Sequence, residues 1–193
     1  MKNKGFTLVE LLAMLVVLGI LMAIAIPNIS GILANNKFNV LKADATKMVD
    51  TAKIKFSQLK KSERPQINQC VVFALNYLND SGDITAGPNG GKYSQFDSFV
   101  VVKKKDTGSD SSEFQYLIRL VEEKGDKRIG INLENRNVLN EDRTDYVKDI
   151  DDNYDLPADA TSGKNQLNRT EAPTLKSKCP AGVIEYYPGR VLD

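Results

Sequence analysis

The chain has 193 residues with 26 Lys+Arg against 25 Asp+Glu, a formal net charge of +1, so no one-signed field covers it that would steer it to nucleic acid. At 41% hydrophobic and 26% charged residues the composition is that of a folded protein with room for one ordinary domain and an appendage. No histidine and only two cysteines exclude Ser-His and Cys-His nucleophile pairs and any four-ligand Cys/His zinc site, and no phosphate-binding glycine loop, dinucleotide fingerprint or EF-hand loop is present. An enzyme is not expected, nor a cofactor or a bound metal.

The first element is an apolar run from Lys4 to Pro27 broken by one acid, Glu10. Three readings are open. Lys2 and Lys4, the Leu11–Met22 stretch and Ala23-Ile24-Ala25 fit a secretory signal with its cleavage site. Phe6 to Ile26 is also about the 20 residues that span a bilayer as a plain anchor. Against both, helical patterning continues past Pro27: Leu41, Ala45, Met48, Val49, Ala52, Phe56 and Leu59 recur at spacings of three and four, while Lys42, Asp44, Lys47, Asp50, Lys53, Lys55 and Lys60 fill other faces. The third reading is one long helix from Phe6 to about Lys61, roughly 80–85 Å at 1.5 Å per residue, apolar all round in its first half and striped in its second. Lipid or copies of itself must cover the first half. Glu10 lies inside it, where a charge costs roughly 2.5–3.5 kcal/mol and calls for a partner.

Gly5-Phe6-Thr7-Leu8-Val9-Glu10, after a short basic leader and before an apolar helix, resembles the prepilin signature of type IV pilins and pseudopilins. The likeness is dense over Lys4 to Pro27, looser to about residue 61, and architectural only beyond. It implies an α+β fold: a long kinked N-terminal helix packed on a small antiparallel β-sheet, with a short second helix and a long C-terminal loop. It implies a leader at residues 1–5, a membrane and filament-core helix at 6–27, an amphipathic continuation at 28–62 and a globular head at 63–193.

By the same resemblance, a prepilin peptidase would cut between Gly5 and Phe6 and methylate the Phe6 amine. That amine, titrating near 7.7–8, would pair with Glu10 of a neighbouring subunit, with the Thr7 hydroxyl beside the pair or back-bonded to its own helix. Gly19 and Pro27 correspond to positions where family helices bend; proline leaves the Ala23 carbonyl without its helical donor. The implied partners are copies of the chain, the cytoplasmic membrane before assembly, the peptidase, and the ATPase and platform proteins that drive assembly, with no nucleic acid. The implied location is the cytoplasmic membrane as precursor and then a surface filament.

Beyond Glu63-Arg64-Pro65, Gln66 to Leu78 reads as a short second helix from Ile67, Cys70, Val71, Ala74, Leu75 and Leu78. After a turn-rich stretch to Tyr93, Ser98–Lys103, Glu113–Val121 and Arg128–Leu133 read as an antiparallel meander covered on one face by the striped helix. Phe99, Val101, Phe114, Tyr116, Ile118, Leu120, Ile129 and Ile131 are the inward candidates. Asn135 to Lys178 is polar, and Asp149, Asp151, Asp152 and Asp155 admit either a solvated loop or a Ca²⁺ site. Lys103-Lys104-Lys105 reads as a solubilising hairpin tip, and Asn79-Asp80-Ser81 and Asn168-Arg169-Thr170 fit the glycosylation sequon. Cys70 and Cys179 are consistent with one disulfide tying the C-terminal loop to the second helix, although family members close a much shorter loop; two buried thiols are the alternative. Val183–Tyr187 would return as a last strand.

Overall fold

The computed structural model describes residues 7–79, 81–105, 113–141, 144–150, 177–181 and 183–187; at 25–30, 185 and 186 it describes the backbone alone. The fold is α+β. Helix α1 spans Leu8–Ser57, and the chain forms two compact units, Met1–Asn39 and Val40–Asp193. From Leu8 onward the described residues of the first unit are helical. Its large apolar side chains described from Leu8 to Ile24 are exposed, from Leu18 at 49% to Leu8 at 78%.

In the second unit, Leu41, Ala45, Met48, Val49, Ala52 and Phe56 of α1 are buried, the stripe expected from their spacing. Leu59 is half-buried and lies past the helix end. Full burial of each large member contributes about 1.5–3 kcal/mol. Phe56 meets the rings of Phe114 at 4.7 Å and Tyr116 at 6.3 Å, both edge-on, which seats the stripe on the sheet.

Among the described residues the sheet has seven strands: β1 (Cys70–Ala74), β2 (Lys92–Tyr93), β3 (Phe99–Lys104), β4 (Phe114–Lys124), β5 (Lys127–Asn135), β6 (Val147–Asp149) and β7 (Val183–Tyr187). Their order is β6-β5-β4-β3-β1-β7, with β2 also paired to β4; all pairs are antiparallel except β1 with β7. The β4–β5 hairpin turns on Gly125-Asp126, glycine taking φ +58° at the first central position.

Two sequence expectations are corrected. Gln66–Leu78 is not a helix: its centre, Cys-Val-Val-Phe-Ala, is strand β1, and only Leu75–Leu78 forms a helical turn, α2. Five consecutive buried residues match a strand covered on both faces as well as they match a helix stripe, and β-branched valines tip the balance to strand. The second correction concerns the inward set. Val101 pairs with Leu117 and Phe99 with Arg119, so Phe99 and Val101 lie on the face opposite Phe114, Tyr116 and Ile118. That face carries its own core of Cys70, Val72, Ala74, Phe99, Val101, Leu117, Leu133, Cys179 and Val183, so the sheet is buried on both sides.

Cys70 and Cys179 are joined by a disulfide inside this second core, closing a span of 109 residues. A loop of that length stabilises the fold by roughly 4–5 kcal/mol in the chain-entropy model. The same face buries an ion pair. Arg119 Nη2 lies 3.0 Å from Asp97 Oδ2, both side chains wholly enclosed, and Arg119 Nε donates to the Asp97 carbonyl and to Oδ1 at 3.1 and 3.2 Å. Asn132 accepts from Arg119 Nη1, and Arg128 Nη2 donates to the same Asp97 carboxylate. Each ionic group thereby exchanges its lost hydration for several directed bonds. Glu122, also buried, accepts from the Asn89 and Gly91 backbone N–H groups at 2.8 and 2.9 Å; a Cβ on Gly91 would fall 2.4 Å from the Glu123 carbonyl oxygen, so only glycine lets the loop wrap this close.

Asp97→Ala leaves Arg119 enclosed without its main counter-charge, and is expected to cost about 3–5 kcal/mol in urea unfolding of the full chain in detergent. A loss below about 1 kcal/mol contradicts this account. A second expectation concerns pH. Tyr93 Oη donates to Asp44 Oδ2 at 2.8 Å, and burial, with the adjacent Asp44 carboxylate, holds the phenol far above its ordinary value of 10.0. The folded state keeps a proton that the unfolded state gives up. Stability is therefore full below about pH 10 and falls as the pH rises past it. The urea midpoint should drop between about pH 9 and 11, and Tyr93→Phe should flatten most of that slope; an unchanged slope in the variant rules the assignment out.

Candidate functional site

The features that point to function lie at the start of α1. Leu8 is the first helical residue, and the Thr7 carbonyl accepts the first intrahelical bond, from Leu11 N–H at 3.2 Å, which places Thr7 at the N-cap. Glu10 then occupies the third helical position. Its Oε2 accepts from Thr7 N–H and from the Thr7 hydroxyl, each at 2.9 Å, and the Thr7 Oγ1 accepts from Glu10 N–H at 3.4 Å. The Thr7 hydroxyl thus bonds within its own helix start, donating to the Glu10 carboxylate and accepting from the Glu10 backbone N–H. The carboxylate also sits at the positive end of the helix dipole, where an anion is favoured by roughly 0.3–1 kcal/mol.

Downstream of Glu10, Ala13, Met14, Val17, Leu18 and Leu21 follow at helical spacing and line a shallow apolar hollow that has the carboxylate at one end. Between Leu8 and Ile24 there is no other charged residue. Among the described residues no helix is long and apolar enough to cross a membrane. The apolar side chains described from Leu8 to Ile24 cover about 25 Å of helix. Phe6 and the side chains of Ala25 and Ile26, which complete the span read from the sequence, lie outside the described set.

The remaining residues singled out from the sequence fall as follows. Gly5 and Phe6 lie outside the described residues. Gly19 is helical, with nothing within 4 Å of the position a Cβ would take. Pro27 lies within α1 as a backbone element, its side chain outside the described set. Cys70 and Cys179 are in the head, joined to each other. Asp149 ends β6 in an exposed position, while Asp151, Asp152 and Asp155 lie outside the described residues, as does the Asn168 sequon. Lys103 and Lys104 are part-exposed at the end of β3, and Lys105 pairs with Glu113 at 3.1 Å.

Sequence reasoning missed two arrangements. The reciprocal Thr7–Glu10 bonding was signalled by the string Thr-x-x-Glu ahead of an apolar run. The Asp97–Arg119–Arg128 cluster had no such signal, because its members come from a turn and two strands that only the folded register brings together.

Residues 1–26 match the family model for the prokaryotic N-terminal methylation motif. No curated protein and no solved structure matches the chain. The helix start bearing Thr7 and Glu10 lies inside the matched segment, and the chain therefore carries the hallmark of the prepilin-peptidase substrates that make up the type IV pilins and pseudopilins.

Proposed function

We propose that the chain is a structural subunit of an extracellular type IV pilus. It is inserted in the cytoplasmic membrane as a precursor, cut between Gly5 and Phe6, methylated on the Phe6 amine and polymerised through its N-terminal helix. One observation carries the reading: a helix whose apolar side chains stand exposed from Leu8 to Ile24, with Glu10 as its only charge, inside a matched methylation motif. Such a surface needs lipid first and neighbouring helices afterwards, and in both settings it keeps apolar contacts.

In this reading cleavage generates a cationic amine at Phe6, and a docking subunit brings it to Glu10 of a neighbour. Pairing converts a charge that is costly in apolar surroundings into a fixed axial register. Gly19 and Pro27 are proposed as the positions where the helix bends to fit the bundle. The heads face outward and serve adhesion, surface motility or biofilm formation. The chain polymerises and does not catalyse; extraction from the membrane is left to an assembly ATPase and its platform, for which this sequence has no nucleotide-binding loop. A pseudopilin of a type II secretion or DNA-uptake apparatus shares the same helix. The large head, with its long polar stretch between Asn135 and Lys178, favours the surface subunit.

The intact mass and N-terminal sequence of protein sheared from its native cells test the reading. The expected chain begins at N-methylated Phe6; one beginning at Ile26, after Ala-Ile-Ala, marks a secreted soluble domain and overturns it. Glu10→Gln removes the charge alone. The processed mass should persist in that variant while sheared filaments fall by at least about ten-fold, the scale of losing one enclosed ionic partner; filaments at the unmodified level contradict the pairing.

A further inference from the structure

Of the chain's asparagines only Asn89 is followed by glycine, and a buried acid holds that pair in place. Glu122 is 3% exposed. Its Oε1 accepts from Asn89 N–H at 2.8 Å and its Oε2 from the Asn89 side-chain Nδ2 at 2.9 Å, so one carboxylate chelates the backbone and the side chain of the same residue. The same Oε1 accepts from Gly91 N–H at 2.9 Å. Gly90 N–H donates to the Gly87 carbonyl at 3.2 Å, and Lys124 Nζ donates to the Asn89 carbonyl at 2.9 Å.

An Asn-Gly pair carries its own chemistry. The Gly90 nitrogen, with no Cβ beside it, can attack Asn89 Cγ. The N–Cγ bond forms, the Cγ–Nδ2 bond breaks, and ammonia leaves as the Gly90 nitrogen gives up its proton. Water then adds across one C–N bond of the resulting cyclic imide and leaves an aspartyl or isoaspartyl link. Both nitrogens that exchange places are engaged in the fold, Gly90 N in the turn and Asn89 Nδ2 in the chelate. Ring closure requires Cγ to reach the Gly90 nitrogen, a movement that the Nδ2–Oε2 bond resists. We propose that Asn89 is a deamidation site that the Glu122 carboxylate keeps latched, and that its conversion to an acid releases the 87–91 loop.

The release follows from charge. The product sets a carboxylate where Nδ2 donated, against the enclosed carboxylate of Glu122, and like charges at that separation repel strongly away from water. Glu122 is fixed in β4 opposite Tyr93, so the loop is the part that yields. The loop lies between the two ends of the Ala86–Lys92 bridge and leads into β2, whose Tyr93 hydroxyl donates to Asp44 of α1. Loss of one amide nitrogen thereby reaches the contact between β2 and the helix.

The test follows conversion of Asn89 by peptide mass in the full chain in detergent, held in warm, mildly alkaline buffer with and without urea. The folded chain should convert at least about ten-fold more slowly than the unfolded one, since attack must wait for local opening. Equal rates overturn the latch, and that comparison needs no variant to fold. Glu122→Gln keeps the size but turns an NH2 group toward donors; with exchange protection of β1 and β3 retained, it should convert at least about five-fold faster than the unmodified chain. Conversion at the unmodified rate removes Glu122 from the account. In Asn89→Asp, hydrogen exchange of the backbone amides between Gly87 and Lys92 should speed up by about ten-fold; exchange there at the unmodified rate overturns the release.

Discussion

Burial of both faces of one sheet is the constraint on which the folded head depends, and it sets what each neighbouring segment has to be. The strands at its centre, β1 and β3, read as unbroken apolar runs because neither face is open to water. One face is closed by α1 from Leu41 to Phe56, whose ring meets Phe114 and Tyr116. The other is closed with the help of the far end of the chain: Cys179 and Val183 join the second core, the disulfide fastens them to Cys70, and β7 adds itself in parallel beside β1. Because Cys70 lies in β1 and Cys179 lies 109 residues further on, four residues before β7, the bond joins the first strand to the segment that leads into the last.

The ionic cluster is the price of a register set by the hydrophobic pattern. Once Val101 is opposite Leu117, Arg119 must point into the same core as Phe99. A buried guanidinium is tolerable only with its donors engaged, and Asp97, in the turn before β3, supplies a carboxylate and a carbonyl at hydrogen-bond distance. Arg128 then approaches that carboxylate from β5. A bulge in β5 accompanies this: the pairing shifts between Ile118 and Leu120, and Leu133 takes φ +54°, a conformation a branched side chain adopts only when its surroundings impose it.

Legibility in the sequence tracked the range of the interaction involved. The striped half of α1 and strands β3, β4 and β5 were readable to within a few residues, because their signals are local periods of 3.6 and 2. β1 was misread because Cys70, Val71, Ala74 and Leu75 satisfy a helix stripe while Val72 and Phe73 fill the gaps that a stripe would leave polar. Continuous apolarity was the stronger clue, and the spacing rule hid it. The assignment of Phe99 and Val101 to the helix-covered face failed for another reason. Which face a strand shows depends on its register with β4, and a single-residue slip exchanges the faces. Asp97 with Arg119 was illegible on the same grounds. The methylation motif was legible because it is contiguous, yet its physical content was only half seen: Glu10 was read as waiting for a distant partner, whereas Thr7, three residues away, already occupies it.

The Thr7 bonds change the energetics of the acid. A carboxylate in an apolar run is expensive in proportion to how little else it can bond, and two donors from Thr7 at 2.9 Å together with the helix's own positive end remove much of the expense before assembly begins. In the proposed filament the amine of a neighbour would compete with, or add to, an existing cap rather than rescue a bare charge. An added donor is the easier of the two, because a carboxylate offers about four acceptor sites and the cap fills two. In the proposed filament Glu10 can therefore hold the helix start and receive an amine together, and polymerisation there need not unwind the end of the helix.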